Sequence, residues 1–163
     1  MEKKAIILEK KELTQSRILN APQELVWNAW TDPNQLVKWW GPQGFTTPVC
    51  EIDVRPNGAI YIEMKGPDGT IYPMKGYYLE IIKPERLVFT SAALDKEGKS
   101  LFEEMTTINL NEVGGKTKFE MVSKFSKVTP EGEPYLEGGE EGWKQSIDRL
   151  EEYLSKIKRD TKF

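Results

Sequence analysis

Histidine is absent from the 163-residue chain, and cysteine occurs once, at Cys50. Ser-His and Cys-His nucleophilic pairs in their usual forms are therefore excluded, as are imidazole-held zinc and the commonest general base near neutral pH. A lone cysteine allows neither an intramolecular disulfide nor a Cys-rich metal site. Acid–base chemistry would have to run on carboxylates, Lys, Tyr, Arg or a borrowed cofactor, so the carboxylates are the first residues to place. Glu103 and Glu104 are adjacent, and a regular strand turns one of them inward. Glu103 shares the parity of Met105 and is the expected inward one. Glu63 and Glu120 lie opposite the apolar positions of their strands and are expected to face solvent. Asp53 and Arg55, two residues apart, are expected to share a sheet face and pair, with Arg17 joining them. Cys50 alternates with Ile52 and Val54 and reads as a small buried hydrophobe rather than a reactive thiol. No phosphate loop, dinucleotide fingerprint or metal-ligand spacing is present. No catalytic residue, metal or cofactor is assigned.

The apolar residues offer more. Five Trp, six Tyr and six Phe can fill a core with bulky rings or line a pocket. Trp39 and Trp40 are neighbours on a short helical turn, so one is expected in the core and the other at a pocket rim, with Phe45 close behind. Met64, Met74, Met105 and Met121 fall on four different strands, where flexible thioethers suit a pocket that adapts to varied apolar ligands or fill an irregular core. Tyr61, Tyr72, Tyr77 and Tyr78 are placed to orient a ligand carbonyl or to sit half-buried in the sheet. Trp143 and Ile147 head the last helix, where Gly138, Gly139 and Gly142 would let its end move. Together with Phe89 these give the expected ligand contacts: Trp39, Trp40, Phe45, Met64, Met74, Tyr78, Phe89, Met105, Met121, Trp143 and Ile147.

The elements that must hold them follow from periodicity. Trp143, Ile147, Leu150, Leu154 and Ile157 make one stripe on a helix, with charge on the remaining face. Glu137, Glu140 and Glu141 at its start and Lys156, Lys158 and Arg159 at its end suit the helix dipole. Glu12–Asn20 has strand character. Asn20 is expected to cap a helix running from Gln23 to about Thr31, with Pro22 in its first turn. Thr31-Asp32-Pro33 restarts a short helical turn through Trp40, and Gly41-Pro42-Gln43-Gly44 ends it. From Phe45 the period becomes two. Strands are predicted over Phe45–Val54, Ala59–Lys65, Thr70–Ile82 (bent near Pro73 and Gly76), Arg86–Ser91, Leu101–Glu112 and Lys116–Phe125, joined by turns such as Pro56-Asn57-Gly58, Gly66-Pro67-Asp68-Gly69 and Val113-Gly114-Gly115. Ser126–Gly139 reads as a loop that delivers the last helix. The pattern predicts an α+β domain in which about seven antiparallel strands receive one long C-terminal helix, with two short helices after the first strand.

Several blocks resemble one family. They are Ala21-Pro22 with Val26-Trp27, Thr31-Asp32-Pro33, Trp39-Trp40-Gly41-Pro42, Asp53 with Arg55-Pro56 and Gly58, Pro84-Glu85-Arg86-Leu87-Val88-Phe89, and Gly142-Trp143 with Ile147 and Leu150. In this order they resemble the activator-of-heat-shock-protein-90-ATPase homologue family, within the START-related superfamily that also holds polyketide cyclases and pollen allergens. The resemblance covers about Leu13 to Leu154. It implies a helix-grip fold: a curved sheet wrapped around the last helix, with an apolar cavity between them.

One domain over residues 1–163 is expected, with 1–11 and 160–163 as terminal extensions. The net charge of −3 provides no footprint for nucleic acid. No apolar run approaches the ~20 residues of a membrane helix, and the expected location is cytoplasmic. The preferred function is uptake of an apolar or amphiphilic small molecule without catalysis. The resemblance implies two others, a co-chaperone-like partnership with a heat-shock ATPase and a cyclase or hydrolase acting on an apolar substrate. Monomer and weak dimer both remain open.

Overall fold

The computed structural model describes residues 12–161, apart from the side chains of 136, 137 and 158–161. The expected extension 1–11 lies outside the described residues, whereas residues 160 and 161 continue the last helix. Seven strands form one sheet: β1 (Glu12–Leu19), β2 (Thr46–Ile52), β3 (Ala59–Lys65), β4 (Ile71–Ile82), β5 (Arg86–Leu94), β6 (Ser100–Val113) and β7 (Lys116–Val128). Their order is β1-β7-β6-β5-β4-β3-β2, and every pairing is antiparallel. Strands β2 to β7 are a meander of hairpins, while β1 pairs with the last strand. The chain must therefore cross the sheet between β1 and β2. Helices α1 (Gln23–Thr31) and α2 (Pro33–Leu36) make that crossing, α1 against β6 and β7 and α2 against β2.

Local chemistry explains the breaks. Pro22, rather than Asn20, is the residue preceding α1, and no side chain caps that helix. The first free amides of α1 instead meet the Pro22 carbonyl, which accepts from Leu25 and Val26. Asp32 does cap α2, accepting from the Asn34 amide at 2.9 Å. Gly76 lies where β4 crosses β5 so closely that a Cβ would sit 1.9 Å from the Thr90 carbonyl oxygen, which only glycine tolerates. The segment expected as a loop over Ser126–Gly139 is more ordered than its Gly, Pro and Glu content suggests. β7 continues to Val128, and a short helix α3 (Glu133–Glu137) precedes α4 (Gly139–Thr161). The Thr129 hydroxyl anchors this segment, donating to the Leu101 carbonyl and accepting from the Gly132 amide.

Helix α4 lies on the concave face of the sheet. Ile147, Leu150 and Leu154 are fully buried, and Trp143 and Ile157 are partly so. Fully burying a Leu or Ile side chain stabilises by about 1.5–3 kcal/mol, enough to hold the helix in place. Arg17 on β1 fastens its charged flank, reaching Asp148 at 2.6 Å, Glu151 at 3.4 Å and the Lys144 carbonyl at 3.2 Å. The expected meeting of Arg17 with Asp53 and Arg55 does not occur, because β1 and β2 are opposite edges of the sheet. Asp53 and Arg55 pair with each other at 2.7 Å in the turn after β2.

Candidate functional site

The concave face is filled unevenly. Toward one end, Trp30 of α1 stacks on Phe119 and sits edge-on to Trp39 and Trp40, with Leu19, Val26, Leu36, Ile108 and Leu110 sealed around them. Toward the other end, Leu13, Phe125 and Val128 form a smaller cluster with Phe102. Trp143, at the start of α4, packs against both groups. Between them lies a cavity of about 440 Å³. That is a ligand-sized volume, within the ~300–1,000 Å³ usual for small-molecule sites.

Its walls come from most of the elements, with Leu13 of β1 and Phe125 of β7 among them. The Trp40-Gly41-Pro42 turn and Phe45 form one side. Strands β3 and β4 supply Ile62, Met64, Tyr72 and Met74, and β5 and β6 supply Ser91, Ala93, Phe102 and Glu104. Pro134 and Tyr135 of α3 close the outer end, while Gly138, Gly139, Gly142, Trp143 and Ser146 form the roof. The roof stays high because three of its residues are glycines and one is a serine, so the first turns of α4 put little side-chain volume into the space below.

The turn at Trp40–Pro42 is held by one residue. Nη1 of Arg149 donates to the carbonyls of Trp40 (3.1 Å), Gly41 (2.9 Å) and Pro42 (3.1 Å). The Gln43 amide adds a bond to Oε1 of Gln145 at 3.1 Å. Gly41 has φ +95°, a conformation that favours glycine, and a Cβ there would also press on the Met64 thioether, 2.9 Å from its Sδ. Helix and turn thus fix one cavity wall together.

Among the described residues one charged side chain lines the cavity, Glu104. Oε2 accepts from the Ser123 hydroxyl at 2.6 Å and Oε1 from the Ser91 hydroxyl at 3.3 Å, while the Ser123 and Thr106 hydroxyls are 3.0 Å apart. Strand register produces this cluster. Ser91 on β5 is directly opposite Glu104, and Ser123 on β7 is directly opposite Thr106, the next inward residue of β6. Burial pushes the Glu104 carboxyl above its ordinary range, and the two serine hydroxyls only partly offset that.

The expected ligand contacts divide. Trp40, Phe45, Met64, Met74 and Trp143 line the cavity. Trp39, Tyr78, Phe89, Met121 and Ile147 do not, because they are sealed in the core. Trp39 is fully buried, and its indole N–H donates to the Ala29 carbonyl at 3.0 Å. Tyr78 and Phe89 border only a void of about 10 Å³, room for no more than a single water. Met105 lies on the outer face of the sheet, 38% exposed.

Met105 also explains the error over the carboxylates. Glu104 faces inward, and Glu103 faces outward toward Lys127 at 3.8 Å. The parity of β6 is set by Thr106, Ile108 and Leu110, all buried, rather than by the single methionine. Two aliphatic residues at even positions outweigh one flexible thioether at an odd one, and that signal was present in the sequence. Of the four tyrosines, Tyr72 reaches the cavity, Tyr61 donates to Glu63 at 2.5 Å, and Tyr77 is exposed. Cys50 is half-buried against the core, where desolvation pushes its thiol up to about 11. That disfavours the reactive thiolate.

A seven-stranded sheet curved around a C-terminal helix, with a cavity between them, defines a helix-grip domain of the START-like, ligand-binding type. The family model described as Activator of Hsp90 ATPase homolog 1-like protein matches residues 20–155, and the chain belongs to that family. Solved structures agree. A protein from Nitrosomonas europaea is 32% identical with a TM-score of 0.77, over 91% of this chain and 96% of that one. One from Chromobacterium violaceum is 30% identical with a TM-score of 0.74, over 88% and 96%. The AHSA1 protein of Silicibacter pomeroyi shares the fold at 20% identity and a TM-score of 0.71, over 89% and 98%. No curated protein matches the chain. Among the described residues, no helix is long and apolar enough to cross a membrane.

Proposed function

We propose that this protein takes up an apolar or amphiphilic small molecule in the cavity between the sheet and the first turns of α4. The observation that carries this reading is a ligand-sized space whose walls are rings, methionines and small residues, interrupted by one hydrogen-bonded carboxyl group. Affinity comes from apolar surface removed from water, at about 25 cal/mol per Å², and the carboxyl orients the ligand. The test is a two-dimensional amide titration with fatty acids, sterols, flavonoid-like aromatics and alkyl amines. Shifts should gather at Trp40–Phe45, Met64, Met74, Phe102 and Trp143. No shift at these positions with any of the compounds would reject the reading.

Glu104 also favours a second reading, in which the cavity is an active site and the carboxyl moves a proton on a bound apolar substrate. An inward carboxyl pushed above its ordinary range by burial is the right type of group for general acid work. Turnover of a bound compound that disappears in Glu104→Gln would support it, and unaltered compound recovered after prolonged incubation would count against it. A co-chaperone role rests on the family's name. An ATPase assay with the cognate heat-shock protein, with and without this chain, tests it directly.

A further inference from the structure

Glu104 is an acid that meets no cation among the described residues. Among the described residues no lysine or arginine lines the cavity, and the carboxyl's polar neighbours are the neutral hydroxyls of Ser91 and Ser123. Buried carboxylates are ordinarily paired with a cation, because hydroxyl donors alone recover only part of the hydration lost. Here the pairing position faces open cavity rather than another side chain. We propose that the cavity selects ligands carrying a basic nitrogen on an apolar body, an alkyl or arylalkyl amine, whose ammonium group pairs with the Glu104 carboxylate. This rests on the cavity-binding reading and adds the charge of the ligand to it.

Three features support the assignment. Each carboxylate oxygen takes one serine hydroxyl, and a carboxylate offers about four lone-pair sites, so acceptor capacity remains for a ligand N–H. The Ser123 bond, at 2.6 Å, with the Thr106 hydroxyl behind it, holds the carboxyl in place from one side and leaves the cavity side to a ligand. The rings of Trp40, Tyr72, Phe102 and Trp143 line the space, and aromatic rings are favourable neighbours for a cation and poor ones for an anion. A fatty acid entering with its carboxylate would meet a second acid and no cation. The cavity is thus apolar in its walls but cation-selective at one point.

Octylamine, octan-1-ol and octanoate share a tail and differ in charge, so amide-shift titration with the three separates the tail from the head group. Octylamine is expected to bind at least about tenfold more tightly than octanol, in line with a hydrogen bond to a charged group, with octanoate weakest. Glu104→Gln keeps the shape and removes the charge. It should remove the preference, so that octylamine and octanol bind the variant with similar affinity. Octanol shifts at the cavity with no preference for octylamine would overturn the charge selectivity and leave the cavity reading standing. So would equal octylamine affinity in wild type and Glu104→Gln. If none of the three shifts a cavity residue, the cavity reading itself fails. The wild-type ranking decides even where the variant does not fold.

Discussion

Helix α4 passes over two regions of one sheet that are filled in opposite ways. Beneath its middle and C-terminal turns, Ile147, Leu150 and Leu154 meet Trp30, Trp39, Phe119 and Met121, and the region is closed. Beneath its first turns, Gly142 and Ser146 face Ser91 and Ala93, and about 440 Å³ stays open. The backbone scaffold is the same in both regions. The difference lies in what α1 and the turn after α2 insert: Trp30, Trp39 and Trp40 fill one end, and Trp40 borders both. Stability is thereby concentrated in one region and binding capacity in the other. Such a division lets the ligand site carry an unpaired acid without costing the fold its core.

The largest effect expected on this contrast is at the closed end. Trp39→Ala should cost about 3–5 kcal/mol in urea denaturation, through lost transfer energy and the hole left behind. A cost below about 1 kcal/mol would mean the end is not tightly packed. Next is Arg149→Met, which removes the donor shared by three carbonyls of the cavity wall. A loss of about 1.5–3 kcal/mol is expected, with amide shifts centred on Trp40–Phe45. Stability falling without movement at those amides would show that the clamp does not hold the wall.

Enlarging side chains compares the two regions directly. Leu150→Phe should cost about 1–3 kcal/mol because no free volume receives the ring. Ala93→Leu, entering the open region, should change stability by less than about 0.5 kcal/mol and weaken binding of the octyl probes. Equal costs at the two sites would erase the distinction. The smallest effect concerns Glu104 without ligand. Burial raises its folded-state pKa above the ordinary 4.5, so the folded protein holds the proton more tightly than the unfolded chain does. Its contribution is fully present below pH 4.5 and is lost as pH rises through the raised folded value. Glu104→Gln should therefore flatten that part of the stability–pH curve and be no less stable than wild type at neutral pH. A wild-type curve that climbs with pH through this window, and loses the climb in the variant, would reverse the assigned direction.

Much of the architecture was legible in the residues. The α4 stripe, the two-residue alternation from Phe45 onward and the turn signals between strands each report a local period, and local periods survive folding because they arise from backbone geometry. Reading the site was harder. Trp40, Phe45, Met64, Met74 and Trp143 reach the cavity while Trp39, Tyr78, Phe89, Met121 and Ile147 are sealed, although both groups look alike in sequence. Glu104 was within reach, since Ile108 and Leu110 share its parity.

Residue type and short spacing were enough for the seven strands, α1, the turn after it, the inward stripe of α4 and the exclusion of histidine chemistry, but not for α3, which lies in a segment that reads as loop. Where the concave face closes and where it stays open is set in three dimensions. That depends on the summed volumes of side chains brought together from β1, α1, α2, the sheet and α4, residues as far apart as Trp30 and Trp143. Strand register likewise aligns Ser91, Glu104 and Ser123 at this space, where among the described residues no basic side chain joins the cavity wall.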